Sequence, residues 1–199
     1  GKGPVIREAE REKIMRKLEF LKGKDVLILA GSVPQGLSPS IYSEMLSLLQ
    51  GKGVLTVVDA AGQLLLSSLP YRPFLVKPNQ HELGELFGVS LEDREQVVPY
   101  AKKLQERGAR NVLVSLAGKG AVLVAEDGTV CSQAPPAGEL VNGVGAGDSM
   151  VAGFLAGWQG SGDYREAFRM GLAAGTASAY SEYLAEKEEI LEMYRKVRE

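Results

Sequence analysis

Four short, unbroken apolar runs constrain this fold more than any other feature of the sequence: Val26–Ala30, Leu55–Val58, Phe74–Val76 and Val112–Val114. None alternates polar with apolar residues, which is the pattern of strands covered on both faces. Between the runs, apolar residues recur at helical spacing. Arg7–Leu21 places Ile14, Leu18 and Leu21 on one face. Ser38 and Pro39 read as the N-cap and first position of a helix through Ile41, Met45 and Leu48 to Leu49. Leu37 and Tyr42 are placed for its hydrophobic staple. Short helices are predicted over Gln63–Ser68 and Gln80–Phe87. Val97, Ala101 and Leu104 mark another, which Pro99 begins or kinks and Gly108 ends.

The second half continues the alternation. Ala121–Ala125 and Thr129–Gln133 flank Asp127-Gly128, a hairpin signal. Helices are predicted over Gly147–Trp158, Tyr164–Tyr180 and Lys187–Val197. Asp163 and Glu166 have capping-box spacing at the middle one, and Glu192 with Lys196 supports the last. Strands alternating with helices predict a layered α/β fold with a mostly parallel sheet. With no repeat or linker in view, one domain over residues 1–199 is expected.

Composition narrows the function classes. A net charge of −2 supplies no strong field toward nucleic acid or an anionic membrane. No apolar run approaches the roughly 20 residues of a membrane span, and no basic-then-apolar leader is present. A single cysteine, Cys131, excludes an internal disulfide, so a cytoplasmic setting is expected. A single histidine, His81, argues against a Ser-His-Asp triad or a His-rich metal site. The first residue is Gly1 rather than Met, as after processing, in an expression scar or in a fragment.

Parallel sheets bind ligands at the carboxyl ends of their strands. Four loops sit at such ends: Gly31–Gly36, Lys77–Glu82, Leu116–Gly120 and Val141–Asp148. In the last, Gly145-Ala146-Gly147-Asp148 opens a helix. Glycine allows a tight turn and close backbone approach, and a helix start attracts anions. The turn therefore reads as a phosphate cradle with one acid, Asp148, at its mouth. Its plain alternative is close packing with a first-turn acid. Asn79 followed by Glu82 is a capping-box pattern; the functional alternative puts Lys77 and Asn79 near phosphates and Glu82 on hydrated Mg²⁺, which needs few carboxylates. Ser115-Leu116-Ala117-Gly118-Lys119-Gly120 is either an ordinary bend or a close nucleotide contact, and it is not a P-loop. The small residues of Gly171–Ala179 suit close helix packing or the flat wall of an adenine pocket.

Val144-Gly145-Ala146-Gly147-Asp148-Ser149 with Met150–Phe154 resembles the carboxyl-terminal signature of the PfkB (ribokinase-like) carbohydrate kinases. Ala30–Gly36, Val58–Gly62, Val76–Leu83 and Ala173–Ala179 resemble the same family in the same order. The resemblance implies a three-layer αβα fold with a Rossmann-like sheet of the ribokinase-like type. It implies ATP-dependent phosphorylation of a sugar-phosphate hydroxyl. The nearest branch converts fructose 1-phosphate to fructose 1,6-bisphosphate, and the next is tagatose-6-phosphate kinase.

By position, Asp148 is the general base at the sugar hydroxyl, and Gly145, Ala146 and Gly147 are the anion hole. Lys77, Asn79, Ser115, Leu116, Ala117, Gly118, Lys119, Gly120 and Gly147 fall to ATP, with Thr176 and Ser178 near its base and Glu82 near Mg²⁺. A monovalent cation is implied for a loop near Tyr183, where relatives often carry glycine, and a homodimer for the full-length protein. The family begins with strands bearing a Gly-rich sugar motif and a lid sheet. This sequence starts inside that pattern, at a helix, so little activity is expected of the chain alone. A non-catalytic ATP-binding module and a purely structural fragment are the competing readings.

Overall fold

Each apolar run is a strand in the computed structural model, which describes residues 5–198; Gly1 lies outside the described residues. The chain forms two compact units, one of Gly1–Leu91 with Pro99–Leu113, the other of Glu92–Val98 with Val114–Glu199.

In the first unit, the helix α1 (Glu8–Glu19) precedes β1 (Val26–Ala30), and α2 (Ile41–Leu48) precedes β2 (Leu55–Asp59). Helix α3 (Gly62–Ser68) leads through a 3-10 turn to β3 (Leu75–Val76), followed by α4 (Gln80–Phe87). Helix α5 (Arg94–Glu106) carries Pro99 inside it, so Glu95 O lacks its usual donor there, and the unit boundary falls just before Pro99. Strand β4 (Asn111–Ser115) follows. Strands β1 to β4 lie side by side in parallel, with Val57 paired to Leu75 and Val76 to Val112. Val57, Val58, Leu75, Val76 and Val112 are wholly buried, as strands covered on both faces should be.

Two expectations need correction. Strand β1 is covered on one face only. Leu29 is buried at 6% exposure, but Ile28, on the opposite face, is 45% exposed. A continuous apolar run does not by itself reveal which faces are covered. Helix α2 also starts two residues late. Ile41 N donates to Ser38 O and Ser40 N to Ser38 Oγ, so Ser38 and Pro39 form a turn ahead of the helix.

In the second unit, β5 (Ala121–Val124) and β6 (Val130–Gln133) form the antiparallel hairpin. Asp127 Oδ1 accepts from Thr129 N at 2.8 Å in its turn. Helices α6 (Ala146–Ser161), α7 (Tyr164–Tyr180) and α8 (Lys187–Arg198) follow. Asp163 caps α7 by accepting from Arg165 N and Glu166 N. The reciprocal half of the box is not made. The Glu166 carboxylate instead accepts from Arg169 and Tyr194.

Helices α6 and α7 pack through their small residues. A Cβ built on Gly153 would lie 2.6 Å from both Ala174 Cβ and Met170 O. The small-residue stretch of α7 therefore serves packing, whatever else its exposed atoms do. No described helix is long and apolar enough to cross a membrane.

The glycines of α6 yield a two-sided expectation. Gly153→Ala overpacks the contact with α7 and is expected to destabilise by about 1–2 kcal/mol after the gain in helix propensity. Gly160→Ala meets nothing within 4 Å and is expected to stabilise by about 0.5 kcal/mol. Urea unfolding of both variants checks the signs; equal shifts would contradict the packing account.

Candidate functional site

In the first unit, register places an acid beside a lysine. Val58 pairs with Val76, so the residues that follow them, Asp59 and Lys77, leave neighbouring strands at the same edge. Lys77 Nζ lies 3.1 Å from Asp59 Oδ1, with side chains 8% and 15% exposed. An ammonium this buried needs a counter-charge, and Asp59 supplies it. Lys77 N also donates to Val58 O, extending the ladder by one bond. Tyr42 packs nearby and donates to Gly31 O at 3.1 Å. Burial first, and then the charge of Asp59, push the Tyr42 phenol up, so it stays a neutral donor.

The loop after Lys77 is a complete capping box. Asn79 Oδ1 accepts from His81 N and Glu82 N, and Glu82 Oε2 accepts from Asn79 N at 2.8 Å. The structural reading of this motif therefore holds. It also leaves Glu82 Oε1 without a hydrogen bond among the described residues. Asp59 and Glu82 are hard oxygen donors of the kind Mg²⁺ takes, with water filling its remaining positions. Among the described residues no three His, Cys, Asp or Glu side chains cluster as a metal cage.

In the second unit, the loop before α6 is tied down from both sides. Val141 N and Asn142 N both donate to Ala179 O. The Asn142 side chain accepts from Val144 N at 3.0 Å and donates to Glu182 O at 3.0 Å. Gly145 then takes φ 79°, a left-handed conformation that suits glycine, and caps the helix. Its Cβ, if present, would lie 2.6 Å from Leu184 Cδ2. Ala146 N bonds to Gly143 O and Ser149 N to Gly145 O. Between them, Gly147 N and Asp148 N have no acceptor among the described residues. Two open N–H groups at the positive end of a 16-residue helix form an anion site, with the exposed carboxylate of Asp148 beside it.

The remaining sequence-predicted residues of this unit have defined places. Ser178 Oγ donates to Ser149 Oγ at 2.8 Å and accepts from Ala185 N at 3.1 Å, so this buried hydroxyl ties α6 to α7. Thr176 is buried at 6% exposure. Ser115 ends β4, and Leu116–Gly120 is a closed turn in which Leu116 N donates to Gly120 O. Gly120 is required there by β6, since its Cβ would lie 2.0 Å from Gln133 O. Gly118 faces open space, Ala117 is exposed, and Lys119 Nζ donates to Glu92 O. Val144, Tyr183 and Leu184 are exposed apolar side chains, and Leu184 lies against Gly145.

The residue that sequence reasoning missed is Asp59. Its signal was present: an acid just after one apolar run and a lysine just after a neighbouring one. Only the strand register turns that coincidence into a pair. Asp59→Leu, which strands the Lys77 charge, is expected to destabilise by about 2–3 kcal/mol. Adding Lys77→Met should recover at least half of that in urea unfolding. No recovery in the double variant would show that the pair is not coupled.

The family model of pfkB family carbohydrate kinases matches residues 4–190. The chain is 40% identical over 198 residues to 1-phosphofructokinase of Bacillus subtilis, covering 100% of this chain and 65% of that protein. It is 30% identical over 187 residues to D-tagatose-1-phosphate kinase of Bacillus licheniformis, covering 94% of this chain and 61% of that protein. Among solved structures, phosphofructokinase-2 from Escherichia coli in complex with substrates and products is similar with TM-score 0.93 at 28% identity, over 100% of this chain and 66% of that one. The same enzyme is also known in complex with potassium. The chain thus spans 65% or less of the length of these two curated relatives. The extent of the family match and the full-length alignment to a 40%-identical relative show that this chain belongs to the pfkB family of carbohydrate kinases.

Proposed function

We propose that this chain carries the phosphoryl-transfer machinery of an ATP-dependent kinase acting on a free hydroxyl of a ketose 1-phosphate, with fructose 1-phosphate as the first candidate. The observation that carries this reading is the start of α6. Two N–H groups without acceptors among the described residues adjoin an exposed carboxylate, which suits a migrating phosphoryl group beside the hydroxyl that attacks it. The relatives' names favour the 1-phosphates of fructose and tagatose over tagatose 6-phosphate.

ATP supplies the γ-phosphoryl group, and Mg²⁺ neutralises charge on its phosphates. The sugar oxygen bonds to phosphorus, the bond to the ADP oxygen breaks, and the hydroxyl proton passes to Asp148. The transition state is loose, so the proton leaves late, once the attacking oxygen has become acidic. An ionised carboxylate can take a proton from an oxygen that has become acidic in this way. Gly145 sets the turn, and the N–H groups of Gly147 and Asp148 donate to the phosphoryl oxygens on which charge develops. Lys77, held by Asp59, and Asn79 serve the ATP phosphates, with Glu82 toward Mg²⁺.

The Ser115–Gly120 turn offers backbone to the nucleotide. Thr176 and Ser178 shape a wall near the base rather than bonding to it, since the Ser178 hydroxyl is already engaged. Val144, Tyr183 and Leu184 offer an apolar rim. A monovalent cation belongs to this reading as an ion near Tyr183, the potassium complex of a relative being its support.

Two outcomes are expected of protein carrying this sequence. Asp148→Asn should lower kcat by about 10²–10⁴-fold, the usual range for a general base, while ATP affinity changes little. A coupled ADP assay and calorimetric titration with ATP–Mg²⁺ separate these quantities. Near-normal turnover would remove Asp148 from its role, and ATP binding without turnover on any ketose phosphate would favour a non-catalytic module. In a substrate screen, fructose 1-phosphate should have the highest kcat/KM, tagatose 1-phosphate should follow as its C4 epimer, and tagatose 6-phosphate should be poor.

A further inference from the structure

A cavity of about 270 Å³ lies in the first unit, between one side of α4 and the chain that folds back after it. The fold-back is fixed. Gly88 takes φ 67° at the end of the helix, and Val89 N donates to Gly84 O at 3.0 Å. Gly84 lets the returning chain close in, since its Cβ would lie 2.4 Å from Val89 O. Ser90 and Leu91 complete that wall. At about 30 Å³ per water, the cavity has room for an ion with several waters.

The helix brings His81 and Glu85 to this cavity, four residues apart and so on one face, with Cβ atoms about 5–6 Å apart. This is the spacing at which two side chains of one helix share a metal ion. Both residues are exposed, and the Glu85 carboxylate has no hydrogen bond or ion pair among the described residues. The His81 ring meets only the Gln80 amide nitrogen, at 3.5 Å, longer than a normal hydrogen bond. Gln80 lines the cavity as well, and its Oε1 is buried with no partner among the described residues. No lysine or arginine lines the cavity.

One carboxylate, one imidazole and an orphaned carbonyl oxygen, with no cation beside them, are a set of electron-pair donors. An anion would meet the charge of Glu85, and an apolar ligand would leave Gln80 Oε1 unanswered. Imidazole nitrogen beside carboxylate oxygen suits divalent ions of the zinc type, whereas Mg²⁺ takes oxygen ligands. The geometry points to a binding site for such an ion, with Zn²⁺ as the first candidate, held by His81 and Glu85 with water in its other positions. Gln80 Oε1 accepts from one of these waters, as outer-shell groups do at metal sites. The site is separate from the Mg²⁺ position proposed at Glu82, whose carboxylate turns to Asn79 N, and either can fail without the other.

His81 is the only histidine of the chain, so its ring C–H signals in a proton NMR spectrum are a single reporter. The test is a titration of untagged protein with ZnCl₂ in the presence of excess MgCl₂, with affinity measured in parallel by calorimetry. A saturable change of the ring signals is expected with Zn²⁺ and none with Mg²⁺ alone. Glu85→Gln should weaken Zn²⁺ binding at least about ten-fold, the lower end of what lost support costs a metal site. Gln80→Leu should weaken it about three-fold, the worth of one hydrogen bond. Thermal unfolding without metal shows that each variant is folded. Zn²⁺ binding that leaves the ring signals in place, Mg²⁺ that moves them equally, or wild-type Zn²⁺ affinity in Glu85→Gln would overturn the site.

Discussion

The left-handed turn at Gly145 is the constraint on which the chemistry of the second unit depends. It sets the start of α6, where Gly147 N and Asp148 N have no acceptor among the described residues and Asp148 remains exposed. A side chain at this position would be strained by its φ and would press on Leu184. The loop cannot relax easily, because Asn142 and Ala179 hold it through four hydrogen bonds: two to Ala179 O, one to Glu182 O and one from Val144 N. Orphan donors are costly unless water or an anion meets them. A fold that keeps two of them open at one point, beside an acid, is preorganised for charge that develops there.

The first unit meets the opposite problem, a buried charge that needs an answer. Lys77 follows β3 directly and is almost fully covered. Its partner comes from the next strand, so the parallel register itself supplies the counter-ion. The same edge carries the Asn79 capping box, which orients Glu82 with one oxygen used and one left over. At the opposite edge the chain arrives from a helix end, as in the turn that leads from α2 into β2. The two edges differ because strand ends differ: carboxyl ends feed helix starts, and amino ends receive the chain from helix ends.

Much of this was legible in the sequence where the determinant is local. Asn79 and Asp163 marked the starts of α4 and α7 correctly because a cap acts within three residues. Gly145–Asp148 stood out because the turn, the helix start and the acid are contiguous. Long-range determinants were hidden. The Asp59–Lys77 pair depends on register, the open face of β1 depends on what covers Ile28, and the bonds of Ser178 depend on α6 and on Ala185. The Gly118-x-Gly120 turn shows the converse. A pattern that invited a ligand reading has a packing cause at Gly120, where β6 passes too close for a side chain.

The claim that the start of α6 receives the migrating phosphoryl group has a direct structural test. It is a crystal structure of protein carrying this sequence with ADP, Mg²⁺, aluminium fluoride as the phosphoryl mimic, and fructose 1-phosphate. The mimic is expected within hydrogen-bond distance, about 2.7–3.2 Å, of both Gly147 N and Asp148 N. A sugar hydroxyl should lie within the same reach of an Asp148 carboxylate oxygen. A mimic bound away from these two nitrogens, with Asp148 remote from every sugar hydroxyl, would contradict the account.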